Sequence, residues 1–261
     1  MLKTYYDKKN NRLVQIGYPS NVYFWEKHWI DNPVSMYSKM HSFIVPIIKK
    51  FLQNNSTILD GGCGLGVNVY LLKKAGYNVV GIDYAKETVA NINKSMPLLD
   101  IRCGDVKRLP FQDGCFDGYL SLGVIEHFYE GYDLVIKEIK RVLKDKGFVF
   151  VVFPFISLLR RIKINFNCYP LWEENIANNF YQFIFDPYRV IDDFSRNGFK
   201  VSTVRFYDAV KCIKDEIKVT KYFLQYIYDS KNLYIKAIKY MIDKVLSRMA
   251  GHIILVVFSK N

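Results

Sequence analysis

Asp60, Asp83 and Asp105 stand at or just beyond the ends of three successive strand-like stretches, and the first runs into Gly61-Gly62-Cys63-Gly64-Leu65-Gly66. Glycines so crowded cost backbone entropy and stabilise no strand, so they mark a tight turn where the backbone passes close to a ligand. The loop by itself is compatible with a dinucleotide site, whose fingerprint is G-x-G-x-x-G with an acid about 20 residues later on the ribose. Here the spacing is D-x-G-x-G-x-G, and the later acid is Asp83 in Gly-Ile-Asp-Tyr. An acid at the end of the first strand opposes a phosphate and suits a ligand carrying an amino or sulfonium cation. His127, one of four histidines, follows a fourth strand-like stretch, and a neutral imidazole there can accept a proton from a hydroxyl. Its plainer role is to cap the loop with Glu126 and shape a pocket. Tyr169, Glu173 and Glu174 are the next candidate bases.

The elements that must position these residues alternate in short order. Strands are expected over Thr57 to Asp60, Asn78 to Asp83, Asp100 to Cys103, Phe116 to Leu122 and Phe148 to Phe153, with helices over 66–75, 86–95 and 131–144 between them. A helix over 187–197, stopped by Gly198, and strands over Lys200 to Phe206 and His252 to Ser259 complete the core. Such alternation predicts an α/β fold with a doubly wound, mostly parallel sheet, which places ligands at the carboxyl ends of its strands. Residues 1–55 read as an N-terminal helical cap, with Tyr18, Trp25, Trp29 and Tyr37 among its aromatics and an amphipathic stretch from Met36 to Leu52. Residues 56–261 form the main domain. Within it, 154–186, aromatic and irregular, and 207–251, a helical insertion before the last strand, fall outside the alternation and are expected on the substrate side.

Half of the 261 residues are apolar, enough for one large core. The longest apolar run, Phe148 to Leu159, contains Pro154 and falls short of the roughly 20 residues a membrane span needs. The polar start, Met1 to Asn10, lacks a signal-peptide core, so a cytoplasmic protein is expected. The five cysteines have no metal-type spacing, which suits a reducing compartment. The formal net charge is +12, and residues 200–261 carry twelve Lys and Arg against five Asp and Glu. That charge fits nucleic acid, an anionic membrane or an acidic substrate, and equally an AT-rich genome. In the insertion, apolar residues from Ile217 to Leu246 recur at helical spacing with Lys opposite. Core packing is the plain account; contact with an anionic membrane or a lipid-linked substrate, or with nucleic acid, are the alternatives.

In their order and spacing, Asp60 to Gly66, Gly81 to Tyr84, Cys103 to Val106 with Leu109-Pro110-Phe111, and Phe116 through Phe128 resemble the class I S-adenosylmethionine-dependent methyltransferases, specifically their broad small-molecule subgroup. The resemblance runs from about Ile58 to Phe153 and resumes at Tyr188 to Phe206 and the final strand. It implies a Rossmann-like seven-stranded sheet and S-adenosylmethionine as cofactor. By resemblance, Asp60, Gly61, Gly62, Cys63 and Gly64 line the methionine moiety, with Asp60 near its amino group. Asp83 accepts from both ribose hydroxyls, Asp105 accepts from the adenine amino group, Val106 and Tyr84 lie against the base, and Leu122 and Gly123 supply backbone near the methionine.

Methyl transfer from a sulfonium needs alignment and exclusion of water more than catalytic side chains. The expected reaction is O-methylation of a small-molecule or glycan hydroxyl, with His127 as the candidate base and the aromatic 154–186 segment able to stack on rings. The alternatives are C-methylation of a membrane-associated quinone or lipid, and a cofactor-binding protein without turnover. No metal is expected: the E-x-x-E-H ligand pattern of some relatives has Gly123 where the first acid stands. Nor is nucleic acid the expected acceptor, since Ser121-Leu122-Gly123 replaces the N-P-P-Y-like turn and no Pro-Cys pair occurs.

Overall fold

The computed structural model describes residues 2–30 and 42–261. Tyr37 and the part of the expected amphipathic stretch from Met36 to His41 lie outside them.

The chain opens as a hairpin, β1 (Lys3–Asp7) and β2 (Arg12–Ile16). Asp7 holds its turn, accepting from the Asn10 amide at 3.1 Å and from Arg12 Nε at 2.9 Å. The expected helical cap is thus only partly helical: α1 (Val22–Ile30) and the short α2 (Val45–Ile48) follow the hairpin. Then come β3 (Thr57–Gly61), α3 (Val67–Lys74), β4 (Asn78–Asp83), α4 (Lys86–Ser95), β5 (Asp100–Cys103), β6 (Phe116–Leu122), α5 (Asp133–Val142) and β7 (Leu143–Pro154). After α6 (Leu158–Asn165), β8 (Phe180–Ile184) pairs with β2, closing a three-stranded antiparallel sheet. The segment expected to be irregular therefore contributes a strand. Phe-Tyr-Gln-Phe-Ile carries strand chemistry, but its partner lies some 165 residues away in the chain. The fold ends with α7 (Pro187–Arg196), β9 (Phe199–Tyr207), α8 (Ala209–Glu216), α9 (Lys221–Asp229), α10 (Leu233–Ala250) and β10 (Ile253–Lys260).

The main sheet has the order β5-β4-β3-β6-β7-β10-β9. It is the expected seven-stranded doubly wound sheet, with β10 antiparallel to both neighbours and the other strands parallel. β7 is apolar throughout Phe148 to Phe153 because both its faces are covered. Its side chains alternate: Val149, Val151 and Phe153 join the layer beneath α5 and α7, whereas Phe150 and Val152 join the layer beneath α2, α3 and α4. α7 begins where Asp186 accepts from the Tyr188 amide at 3.1 Å with Pro187 at the first helical position, and ends at Gly198.

The α8–α10 insertion leaves the sheet at Tyr207 and returns at Ile253, which pair with each other. A buried polar cluster pins it there. Arg160 donates to Glu216 at 2.9 Å, to the Phe155 carbonyl at 2.7 Å and to His252 Nδ1 at 2.9 Å, while the Tyr169 hydroxyl donates to Glu216 at 2.6 Å. The expected packing of the insertion holds for one side only. Leu224, Ile227, Ile235 and Ile242 close on Val210, but Phe223, Leu233, Ile238, Met241 and Val245 face outward. Each helix carries apolar residues on more than one side, and α8 and the sheet edge can cover only one. Among the described residues, no helix is long and apolar enough to cross a membrane.

Candidate active site

Four strand ends meet at the carboxyl edge of the main sheet, and the loop after β3 is folded down by its neighbour. The amides of Gly62 and Cys63 donate to the Ile82 carbonyl at 2.8 and 3.0 Å, and that of Gly64 donates to Asp83 Oδ2 at 2.8 Å. The other oxygen of Asp83 accepts from the Ala85 amide at 2.9 Å. Gly64 has a φ of +51°, and a Cβ there would come within 2.8 Å of the Trp29 ring. At Gly61 a Cβ would overlap the Tyr119 hydroxyl. Some of the crowding of glycines thus serves the protein's own side chains, a reason the sequence does not display.

The edge holds a cleft of about 300 Å³. Of the sequence-predicted residues, Gly62, Asp83, Tyr84, Asp105, Val106, Gly123 and His127 line it. Asp60, Gly61, Cys63, Gly64 and Leu122 do not. Cys63 turns its sulfur toward β4, where a Cβ on Gly81 would meet it at 2.9 Å, and burial pushes its thiol up. Asp60 is 1 % exposed and its Oδ2 has no hydrogen-bond partner among the described residues. Burial first, then the charge of Asp83, pushes its carboxyl up to about 7. Burial also raises Asp83, against the backbone donors that stabilise its ionised form. Asp105 is more open; it accepts from the Lys107 amide at 2.9 Å, with the Lys107 ammonium 3.6 Å away.

His127 lies on the short turn after β6, and its Nδ1 is 2.7 Å from the Tyr181 carbonyl of β8. A carbonyl only accepts, so Nδ1 carries the proton and Nε2 keeps its lone pair. Burial lowers the ring to about 4, leaving it neutral at physiological pH. Beside it Glu126 is buried with Oε2 unpartnered, and burial raises it to about 8. Tyr169, named from sequence as an alternative base, spends its hydroxyl on Glu216 in the buried cluster, and neither it nor Glu173 nor Glu174 lines the cleft.

Sequence reading did not assign Trp25 and Trp29 to the site, nor Ser20, Gly104, Lys107, Val124 and Phe128, all of which line it. Trp25 stacks on Trp29 at 5.8 Å and meets the His127 ring edge-on at 4.9 Å. The signal was the i, i+4 pairing of Trp25 with Trp29 and of Phe24 with His28, which puts aromatic faces on α1. Among the described residues no three His, Cys, Asp or Glu side chains gather as they would around a metal ion.

A sequence profile for a methyltransferase domain matches residues 59–151. A probable S-adenosylmethionine-dependent methyltransferase of Mycolicibacterium smegmatis is 35% identical over 97 residues, 37% of each chain. An uncharacterized protein of Methanocaldococcus jannaschii is 31% identical over 180 residues, 67% of this chain and 70% of that one. Probable tRNA methyltransferase 9B of Homo sapiens is 35% identical over 116 residues, 42% of this chain but 25% of its own length. The chain therefore spans about a third of the first relative and a quarter of the human one. In three dimensions the fold is similar to a Pyrococcus horikoshii protein (TM-score 0.57, 18% identity, covering 88% and 93% of the two chains). It is likewise similar to an S-adenosylmethionine-dependent methyltransferase of Methanosarcina mazei (TM-score 0.55, 18% identity, covering 82% and 97%).

Proposed function

The chain belongs to the class I S-adenosylmethionine-dependent methyltransferases, and from that premise we propose that it methylates a hydroxyl of a small molecule or glycan with His127 as the base. The cofactor's chemistry suits the residues present. A cationic amino acid moiety calls for an anionic, phosphate-repelling site, and the buried, unpartnered Asp60 Oδ2 supplies one. In this reading Asp60 to Gly64 hold the methionine end, and Asp83 accepts from the ribose hydroxyls with the lone pairs its backbone bonds leave free. Asp105 and Val106 hold the adenine against Tyr84, and Leu122 and Gly123 border the methionine. When bound, S-adenosylmethionine supplies a methyl group already activated on sulfur.

The chain's own residues then have three tasks. Trp25, Trp29 and Phe128 wall the cleft with apolar surface and exclude water. They also give a ring or sugar face something to stack on. His127 Nε2, fixed by the Nδ1 bond to Tyr181, takes the proton of the acceptor hydroxyl as its oxygen is methylated. That free nitrogen inside the cleft is the observation that carries O-methylation over the alternatives.

The test is to incubate metabolite, glycan, lipid and tRNA pools with methyl-labelled cofactor and identify the product by mass spectrometry. A labelled ether on a sugar or small molecule is expected. Label on a carbon atom, a lipid or tRNA alone would overturn this acceptor class, and binding without any label would favour a protein that does not turn over.

Asp60 gives a pH prediction. Its carboxyl titrates near 7 in the ligand-free protein, and a bound cation favours the ionised form, so binding must expel the proton below that pH. Affinity for S-adenosylhomocysteine should hold above about pH 7 and then fall, approaching tenfold per unit. Calorimetry across this range, repeated with Asp60→Asn, checks it. The variant should bind more weakly with a flat profile, and a wild-type profile that is itself flat would remove Asp60 from the amino group.

A further inference from the structure

The outer face of the α8–α10 insertion presents apolar side chains that the protein does not cover. On α9, Tyr222 and Phe223 are 89 % and 67 % exposed, and Tyr226 lies one turn on. On α10, Tyr234, Ile238, Met241, Val245 and Met249 follow one another at spacings of four, three, four and four, which sets them in a single stripe along the helix. All five are exposed. Lys218, Lys221, Lys231, Lys236, Lys244 and Arg248 surround these stripes, all exposed and none in an ion pair among the described residues. Of the acids in α9 and α10, Asp243 is engaged by Lys239 at 3.2 Å, leaving Asp229 as their exposed carboxylate.

We propose that this face docks the protein on an anionic lipid bilayer, the apolar stripes entering the headgroup boundary and the lysines meeting acidic headgroups. An amphipathic helix with an apolar stripe and basic flanks is the chemistry that binds such an interface. Charge complementarity selects the occupant. A second copy of the chain would set lysine-rich surface against lysine-rich surface, whereas an anionic layer satisfies both parts of the face. A nucleic acid is anionic too, and Tyr222, Phe223, Tyr226 and Tyr234 present rings, but from Ile238 to Met249 the stripe on α10 is aliphatic, a surface suited to acyl chains and not to stacked bases. The insertion springs from the end of β9 and the start of β10, which lies beside the end of β7 at the carboxyl edge that also carries the cleft, so docking brings that edge close to the membrane. The inference does not depend on which atom is methylated.

The experiment is co-sedimentation of the full chain with phosphatidylcholine vesicles, with and without phosphatidylglycerol, at low and raised ionic strength. Binding is expected only to the acidic vesicles, fading as salt screens the lysines. Lys236→Gln with Lys244→Gln should lower the partition coefficient by roughly 30-fold, which is about 1 kcal/mol of surface attraction per lysine. Ile238→Ser with Val245→Ser should abolish binding even at low salt. All four positions are exposed, so melting temperature and affinity for S-adenosylhomocysteine should match wild type and report an intact fold. Failure of the intact protein to bind acidic vesicles at low salt overturns the proposal, as does equal binding to neutral ones. A dimer in light scattering that the Ile238→Ser/Val245→Ser pair dissolves would instead make this face an interface between copies.

Discussion

Replacing His127 with alanine should lower kcat by roughly 10² to 10⁴ while affinity for S-adenosylhomocysteine stays within about a few-fold of wild type. The split follows from placement. His127 sits on the turn after β6, anchored to β8, whereas the acids proposed to face adenosine, Asp83 and Asp105, come from the ends of β4 and β5. Single-turnover rates beside calorimetric affinities separate the two effects. The pH profile adds a second reading: burial holds the imidazole near 4, so its protonation should produce no loss of rate between about pH 8 and about pH 5. With cofactor saturating, so that the Asp60 titration does not enter, a kcat limb near the ordinary histidine value would show that the ring is not buried as described. A parallel loss of affinity in the variant would make His127 a binding or structural residue, and full activity would leave alignment alone to drive the transfer.

The alternation that makes the main sheet was legible because its central parallel strands β3, β4 and β6 are covered on both faces and so read as compact apolar runs closed by a glycine or an acid. Asp60, Asp83 and Asp105 stood out in the sequence for the same reason: strand ends are sharp here. The three-stranded sheet was not. β1 and β2 are only five residues each, β1 polar with two tyrosines, and their partner β8 is distant, so neither has a local signal that outweighs an aromatic helix pattern nearby. With that sheet went the setting of His127, since the bond that fixes its tautomer comes from Tyr181. The tryptophan wall was visible as a repeat on α1 but not as a wall, because what it covers lies at Gly64 and His127, brought to it by the tertiary fold. In the insertion, periodicity marked the apolar stripes and could not say which of them α8 would cover. Sequence period fixes the faces of a helix; only packing decides which face is buried.

Asp83→Ala should lower cofactor affinity by about 10² or more, while the protein stays folded. Each charge-assisted hydrogen bond is worth about 1.5–3 kcal/mol, and the proposed ribose contact uses two. The carboxylate also holds the loop, through Gly64 at 2.8 Å and Ala85 at 2.9 Å, so its removal loosens the turn that carries the glycines proposed to hold the methionine end. Asp83→Asn should do little better. One carboxylate oxygen becomes an amino group, which must face either the Gly64 or the Ala85 amide, donor against donor, or turn toward a ribose hydroxyl that can still accept from it. The fold itself should tolerate both changes, because β4 is held by its pairing with β3 and β5 and because burial already disfavours this charge. With its folded value above the ordinary carboxylate range, ionised Asp83 costs stability as pH rises through that shift, so losing the charge offsets part of what the two backbone bonds contributed. Calorimetry with S-adenosylhomocysteine and thermal melts of the ligand-free variants test both halves. Unchanged affinity in Asp83→Ala would show that the ribose is held elsewhere, and a collapsed melt would show that the acid serves the loop before it serves the ligand.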